Sequence, residues 1–231
     1  MYEIVLLRHG ESLWNLENRF TGWRDIGLSN KGVDEARIAG QQLKSNGFIF
    51  DLAFTSVLKR AKETLNICLK EMRINQILIE KFWQLNERHY GALQGLNKKE
   101  TAKKFGDEQV FKWRRSYDIR PPFLKKDDQT NPALDIKYSK LDLSEIPLGE
   151  SLKDTVNRIL PIWLNNISNN IKSGKKILIV AHGNSLRALI KNLDKLSDKE
   201  ISTINIPTGI PLVYKLDSKL NSINHYYLND T

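Results

Sequence analysis

Two short stretches of this 231-residue chain share one grammar. Ile4-Val5-Leu6-Leu7 runs into Arg8-His9-Gly10-Glu11-Ser12, and Ile177-Leu178-Ile179-Val180-Ala181 runs into His182-Gly183-Asn184-Ser185. Each apolar run is short and lacks the alternation of a half-exposed strand. Runs of that kind form central strands covered on both faces. In open α/β sheets, ligands bind beyond the carboxyl ends of such strands, which is where both histidines lie. The two histidines are therefore expected to face each other across one site.

The pattern between them supports a single α/β domain spanning 1–231. Ser29 is a plausible N-cap for a helix to about Asn46, with Val33, Ala36, Gly40 and Leu43 on one face. Asp51–Thr55 reads as a second strand. A helix over about Leu58–Met72 follows, with Ala61, Leu65, Cys68 and Met72 along its inner stripe, and Gln76–Ile79 is a third strand. Strand, helix, strand, helix, strand is the signature of a mostly parallel central sheet flanked by helices on both faces. Helices are predicted at Lys98–Phe105 and Asp107–Tyr117. Ser151 with Asp154 resembles a capping box, and Pro161 should kink the helix that follows. A helix from about Ser185 to Leu193 and closing strands at Pro211–Leu216 and Asn224–Leu228 complete the domain, with an antiparallel edge. Residues 120–147 carry Pro121, Pro122, Pro132 and Pro147 with weak periodicity. They are expected to form an inserted lid or an interface element.

Composition narrows the function classes. Hydrophobic residues make up 40% and charged residues 27%, as in ordinary globular proteins. The longest apolar runs are five or six residues, too short for a bilayer span. The N-terminus enters a strand pattern at once, so no secretory signal is expected. Cys68 is the only cysteine and can form no internal disulfide, so a cytoplasmic location is expected. The net charge of +9 fits nucleic acid, an anionic substrate or an inert basic surface. The lysines are scattered over helix faces without a basic run, which disfavours nucleic acid.

The residues at the strand ends point to phosphate. Glycine after each histidine permits a tight turn and close approach of backbone to a ligand. N–H groups at the next helix start can point at an anion. Arg8 offers a bidentate fork suited to phosphate. A neutral imidazole there is a competent nucleophile toward phosphorus. The second would hold a phosphoryl oxygen as its charge shifts. Arg60 opens the helix after the second strand and should reach the same rim, unless it is a solvated helix-face arginine. Glu87, in the loop Asn86-Glu87-Arg88-His89-Tyr90-Gly91, is the best candidate for a general acid and base; the alternative is that it only pairs with Arg88. Arg114-Arg115 are either a doubled anion clamp or a basic helix face.

These residues resemble a known family. Leu7-Arg8-His9-Gly10-Glu11-Ser12 is similar to the signature of the histidine phosphatase superfamily. Asn15, Phe20-Thr21-Gly22-Trp23 and Glu87-Arg88-His89-Tyr90-Gly91-Ala92-Leu93-Gln94-Gly95-Leu96-Asn97-Lys98 narrow the resemblance to its 2,3-bisphosphoglycerate-dependent phosphoglycerate mutases. Trp113-Arg114-Arg115, Ala181-His182-Gly183-Asn184-Ser185-Leu186-Arg187-Ala188 and Asn205-Ile206-Pro207-Thr208-Gly209 extend it nearly end to end. The resemblance implies that His9 is the phosphohistidine and His182 its partner, with Arg8, Arg60 and Asn15 completing the phosphate pocket. Glu87 would be the proton shuttle. Ser12, Thr21, Gly22, Tyr90, Lys98, Arg114, Arg115, Gly183 and Asn184 would bind the substrate's carboxylate and phosphates. It further implies 2,3-bisphosphoglycerate as phosphoryl primer, no metal, phosphoglycerate substrates and a homodimer.

One departure stands out. Many relatives carry a longer C-terminal tail that helps cover the site, whereas here the sequence ends at Asn229-Asp230-Thr231. A shorter cover is expected to admit water more readily and to leave more of the lid function to 120–147. A phosphatase of the same superfamily is the enzymatic alternative, and a basic nucleic-acid-binding or scaffold protein the non-enzymatic one.

Overall fold

The structure, a computed structural model, describes residues 1–228; Asn229, Asp230 and Thr231, the end of the short tail, lie outside the described residues. Six strands form one sheet in the order β3-β2-β4-β1-β5-β6. β1 (Tyr2–Arg8), β2 (Leu52–Thr55), β3 (Leu78–Lys81) and β4 (Ile177–Ala181) run parallel. β5 (Leu212–Leu216) opposes β1, and β6 (Ser222–Tyr227) opposes β5. The sheet is thus mostly parallel, with the expected antiparallel edge.

Alternation along the strands divides the core into two layers. Ile4, Leu6, Phe54, Ile177 and Ile179 face α6 (Leu152–Ile162) and α8 (Gly183–Leu193). Val5, Leu7, Ala53, Leu178 and Val180 face α2 (Asn30–Ser45) and α3 (Lys59–Glu71). Helices on both faces explain why β1 and β4 read as continuous apolar runs.

Helix ends follow local chemistry. Ser29 Oγ accepts from Gly32 N at 3.1 Å and starts α2, and Gly47 follows its end at φ +74°. Ser151 and Asp154 form the expected capping box. Pro161 lacks the N–H of a regular helix, and α6 passes just beyond it into a π-helical turn, Trp163–Ile167, before α7 (Ser168–Lys172). α4 (Lys98–Phe105) has the expected bounds, while α5 (Asp107–Arg115) ends two residues early. The edge strand β3 lies two residues later than its sequence suggests, because pairing with β2 sets its place. The short helices α1 (Leu13–Leu16) and α9 (Asp198–Thr203) were not expected. Among the described residues no helix is long and apolar enough to cross a membrane.

Segment 120–147 contains three short 3-10 turns, at Pro132–Leu134, Ile136–Tyr138 and Leu143–Glu145. Its order comes from long-range contacts. Tyr138 and Ile146 pack with Trp23, Tyr138 Oη accepts from Asn86 Nδ2 at 2.9 Å, and Lys137 Nζ lies 2.7 Å from Asp25 Oδ2.

Candidate active site

The register of the sheet brings the two histidines together. Arg8 on β1 pairs with Ala181 on β4, so His9 and His182 are the next residues on adjacent strands. His9 N donates to Ala181 O at 3.0 Å. The ring centroids are 4.9 Å apart and edge-on, close to the separation of neighbouring strands, about 4.8 Å. β2 flanks β4, and Ser56 just beyond it sits 2.7 Å from His182 Nε2 through its Oγ. Arg60, in the first turn of α3, is buried beneath them.

The hydrogen bonds set the state of His9. Its Nδ1 is 2.7 Å from Gly10 O, an acceptor only, so the ring proton belongs on Nδ1. Nε2 then presents its lone pair, to which Arg60 Nε donates at 3.3 Å. Burial, then the guanidiniums of Arg60 and Arg8, hold His9 well below the usual imidazole range. Burial and Arg60, with His9 itself, do the same to His182. Both rings are neutral near pH 7. Arg60 is held by Arg24 O (2.9 Å) and Gly22 O (2.8 Å), and Arg8 by Ile206 O (2.6 Å). Burial lowers Arg60 to about 10, which leaves it charged.

Glu87 does not form an ion pair with Arg88. Its Oε1 accepts from Arg88 N (2.7 Å), Asn184 N (3.3 Å) and Asn184 Nδ2 (2.6 Å). Its main-chain carbonyl accepts from Trp23 Nε1 (2.6 Å) and Arg158 Nη2 (3.0 Å). Arg158 is itself paired with buried Glu150 at 2.7 Å, so the Glu87 loop is fixed from both sides. Arg88 instead lies over the Tyr90 ring and donates to Tyr90 Oη (3.2 Å) and Arg114 O (2.7 Å). Burial alone would raise the Tyr90 phenol, but Arg88 and Lys98 together outweigh it and the net shift is downward.

A cleft opens over His9. Arg8, Asn15, Thr21, Gly22, Arg60, Glu87, Tyr90, Lys98, Arg114, Arg115, Gly183 and Asn184 all line it, as the sequence led us to expect. Among the described residues Glu87 is the only acidic side chain on its wall. Arg8 Nε and Thr21 Oγ1 are buried there without a protein partner. Such unpaired donors beside so many cations suit a ligand with several anionic groups, as 2,3-bisphosphoglycerate has.

Two expected residues are absent from the exposed wall of the cleft. Ser12 is fully buried as the N-cap of α1: it donates to Asn15 Oδ1 (2.9 Å) and accepts from Asn15 N (3.2 Å). It positions Asn15 and does not reach the cleft. His182 is also fully buried, edge-on beside His9, with Nδ1 unpartnered among the described residues. The reading of the glycines also changes. A Cβ on Gly10 would fall 2.1 Å from Gly32 O, so this glycine permits β1 to meet α2, not a ligand. The N–H groups beyond His9 are already engaged, Gly10 by Thr64 Oγ1 and Glu11 by Glu35 Oε2. At the start of α8 the anion met by the Asn184 N–H is Glu87 itself. α8 begins at Gly183, not Ser185; Ser185 Oγ accepts from His182 N at 3.0 Å.

Sequence reasoning missed Arg19, Arg187, Ile204, Asn205 and Ile206. Arg19 is paired at the rim with Glu17 (2.6 Å). Arg187 carried a signal: it stands between Leu186 and Ala188-Leu189-Ile190, and an arginine inside such an apolar run needs built partners.

Comparisons with known proteins agree with this geometry. A family model for the histidine phosphatase superfamily (branch 1) matches residues 4–131 and 125–228. A 2,3-bisphosphoglycerate-dependent phosphoglycerate mutase of Borreliella afzelii (strain PKo) is 56% identical over 230 residues, covering 100% of this chain and 93% of that one. Among solved structures, a mycobacterial glucosyl-3-phosphoglycerate phosphatase in complex with VO3 matches at TM-score 0.72 and 21% identity, over 98% of this chain and 97% of that one. The alpha-ribazole phosphatase of Shigella flexneri matches at TM-score 0.70 and 20% identity, over 96% and 94%. At such identities the solved structures establish the fold alone.

Proposed function

The chain belongs to the histidine phosphatase superfamily, among its 2,3-bisphosphoglycerate-dependent phosphoglycerate mutases, and on that premise we propose that it interconverts 3-phosphoglycerate and 2-phosphoglycerate through a phosphoryl group carried on His9. The observation that carries the residue assignment is the state of His9. It is neutral, its proton is tied to Gly10 O, and its Nε2 lone pair lies at a cleft lined by one carboxylate and many cations.

Primed by 2,3-bisphosphoglycerate, phosphorylated His9 meets 3-phosphoglycerate. The free 2-hydroxyl oxygen attacks phosphorus, the P–Nε2 bond breaks, and Glu87 takes the hydroxyl proton. The bisphosphate reorients, and Nε2 attacks the phosphoryl group on the 3-oxygen. Glu87 returns its proton to the leaving oxygen, and 2-phosphoglycerate departs. Arg8 and Arg60 hold the equatorial oxygens of the transferring group. Ser56 Oγ already accepts from Leu58 N at 3.2 Å, so its own proton can go to His182 Nε2. That leaves the ring proton of His182 on Nδ1, free for a phosphoryl oxygen. Lys98, Arg114 and Arg115 hold the far phosphate and the carboxylate. They favour a mutase over a general phosphatase, whose substrate need carry neither.

The proposal places this reaction in glycolysis and gluconeogenesis, in the cytoplasm, without a metal, since the guanidiniums supply the positive charge. It includes a homodimer, supported by the edge strand β3, which exposes Leu78 and pairs on one side only among the described residues. The deciding assay follows 3-phosphoglycerate with and without a trace of 2,3-bisphosphoglycerate. Isomerisation that depends on the trace is expected. Phosphate release without isomerisation would overturn the mutase in favour of a phosphatase.

A further inference from the structure

Arg187 lines the cleft, yet its own hydrogen bonds all go to protein. It lies one turn beyond Asn184 on α8, on the same face of the helix. Its Nη1 donates to Asn184 Oδ1 at 2.9 Å. The rest of the fork is anchored at a distance in sequence. Nε (3.2 Å) and Nη2 (2.5 Å) reach Ile201 O on α9, and Nη2 also approaches Arg115 O (3.5 Å) at the end of α5. The side chain is only 3% exposed.

The consequence falls on Asn184. A side-chain amide has an acceptor end and a donor end, and a guanidinium only donates. Arg187 therefore requires the amide oxygen to face it. The NH₂ end must then face the opposite way, where it donates to Glu87 Oε1 (2.6 Å) and Tyr90 Oη (3.2 Å). Flipped, the amide would turn NH₂ toward the guanidinium and oxygen toward the carboxylate, two repulsive contacts in a buried site. Arg187 thus admits one orientation of Asn184, and that orientation fixes where Glu87 stands.

We propose that Arg187 is a positioning residue for the mutase reaction, acting through the Asn184 amide to hold the Glu87 carboxylate in line with the substrate hydroxyl. This rests on the function proposed above. Misplacing a proton-transfer group by a fraction of an ångström costs about one to two orders of magnitude in rate. Arg187→Met keeps the apolar stem and removes every donor. It is expected to lower kcat about 30-fold, with KM for 3-phosphoglycerate changed by less than about threefold.

The test is a double-mutant cycle of Arg187→Met and Asn184→Ala in the full chain, with kcat, KM and thermal melting measured for each variant. If Arg187 works through Asn184, the double variant will turn over as slowly as Asn184→Ala alone and no slower. Multiplicative losses would overturn the proposal, as would an Arg187→Met enzyme that melts lower but keeps wild-type kcat. Arg187→Lys retains the charge on a single donor nitrogen, without the planar fork, and guards against a variant that fails to fold; kcat between wild type and Arg187→Met is expected, and wild-type kcat would refute the need for the fork. Failure of the wild-type enzyme to isomerise 3-phosphoglycerate would refute the function itself. Wild-type isomerisation with no Arg187 effect would refute only the positioning role.

Discussion

Acidification from pH 7 to pH 5 should remove roughly half of the folding free energy, and the cause is three buried histidines. His9 and His182 are held well below the usual range by burial and by neighbouring guanidiniums, and burial with Arg158 pushes His89 down to about 3. In the unfolded chain each titrates near 6.5. Between the two values the unfolded chain binds more protons, so stability is complete above about pH 6.5 and falls as pH falls. Each histidine loses about 2 kcal/mol by pH 5, and the three together about 6 kcal/mol, against a typical total of about 5–15 kcal/mol. Carboxylates hardly contribute in this window. Asp154, drawn down to about 2 by Arg120 and Ser151 against its partial burial, and Asp25, lowered likewise by Lys137 and Lys59, differ from the unfolded chain only nearer pH 4 and below. Urea unfolding at one protein concentration in a phosphate-free buffer reads the effect, because a bound anion or a concentration-dependent dimer would add its own stabilisation. The midpoint should fall steeply from pH 7 to pH 5 with an unchanged slope. A loss below about 2 kcal/mol would mean that no more than one of these rings stays neutral down to pH 5, and would refute burial and guanidinium repulsion as the common cause.

Three further outcomes follow from the site. After incubation with 2,3-bisphosphoglycerate the protein should carry an acid-labile phosphoryl group that is absent from His9→Ala; an adduct that survives in the variant would place the nucleophile elsewhere. Glu87→Gln should lose about 10³-fold in kcat while binding orthovanadate within a few-fold of wild type, and unchanged turnover would exclude Glu87 as acid and base. Tyr138→Phe removes only the hydroxyl that holds Asn86, the neighbour of Glu87. A kcat reduced about fivefold at constant KM would make segment 120–147 a strut for the catalytic loop, whereas a raised KM alone would favour a lid.

The chemistry of the strand ends was legible because it is local. Short apolar runs ending in histidine name both the sheet and the site, and adjacency of β1 and β4 then brings the rings together. Ser12 was misread although its signal was also local: serine three residues before asparagine, at the start of a helix, is capping spacing. Gly10 and Gly32 could not be read, because their reason is a backbone contact between two elements. Segment 120–147 stayed opaque for the same cause. Lys137 finds Asp25, and Tyr138 finds Asn86 and Trp23, across large gaps in sequence that no periodicity reports. Arg187 matters through an amide one turn away and carbonyls on two other helices, which only the folded chain assembles.

The way the cleft holds its arginines connects nucleophile, substrate and charge. Elsewhere guanidiniums pair with carboxylates, as Arg37 with Asp34 and Arg120 with Asp154. Around the cleft, apart from Arg19 at the rim with Glu17, the anchored guanidiniums are held by main-chain carbonyls instead: Arg8 by Ile206, Arg60 by Gly22 and Arg24, Arg115 by Ile204 and Arg187 by Ile201, with Arg88 just behind the wall held by Arg114 O. Arg19 aside, none of these arginines forms an ion pair among the described residues. A carbonyl fixes the direction of a guanidinium but carries no net charge, so the positive potential stays available to an incoming polyanion. That same potential disfavours a proton on His9 and His182. A carboxylate-paired pocket would hold its arginines as firmly, but it would repel the phosphates and let the histidines protonate. Carbonyl anchoring gives both properties at once. It leaves Glu87 as the one acidic group on the cleft wall, held by Asn184 and able to exchange a proton with the substrate.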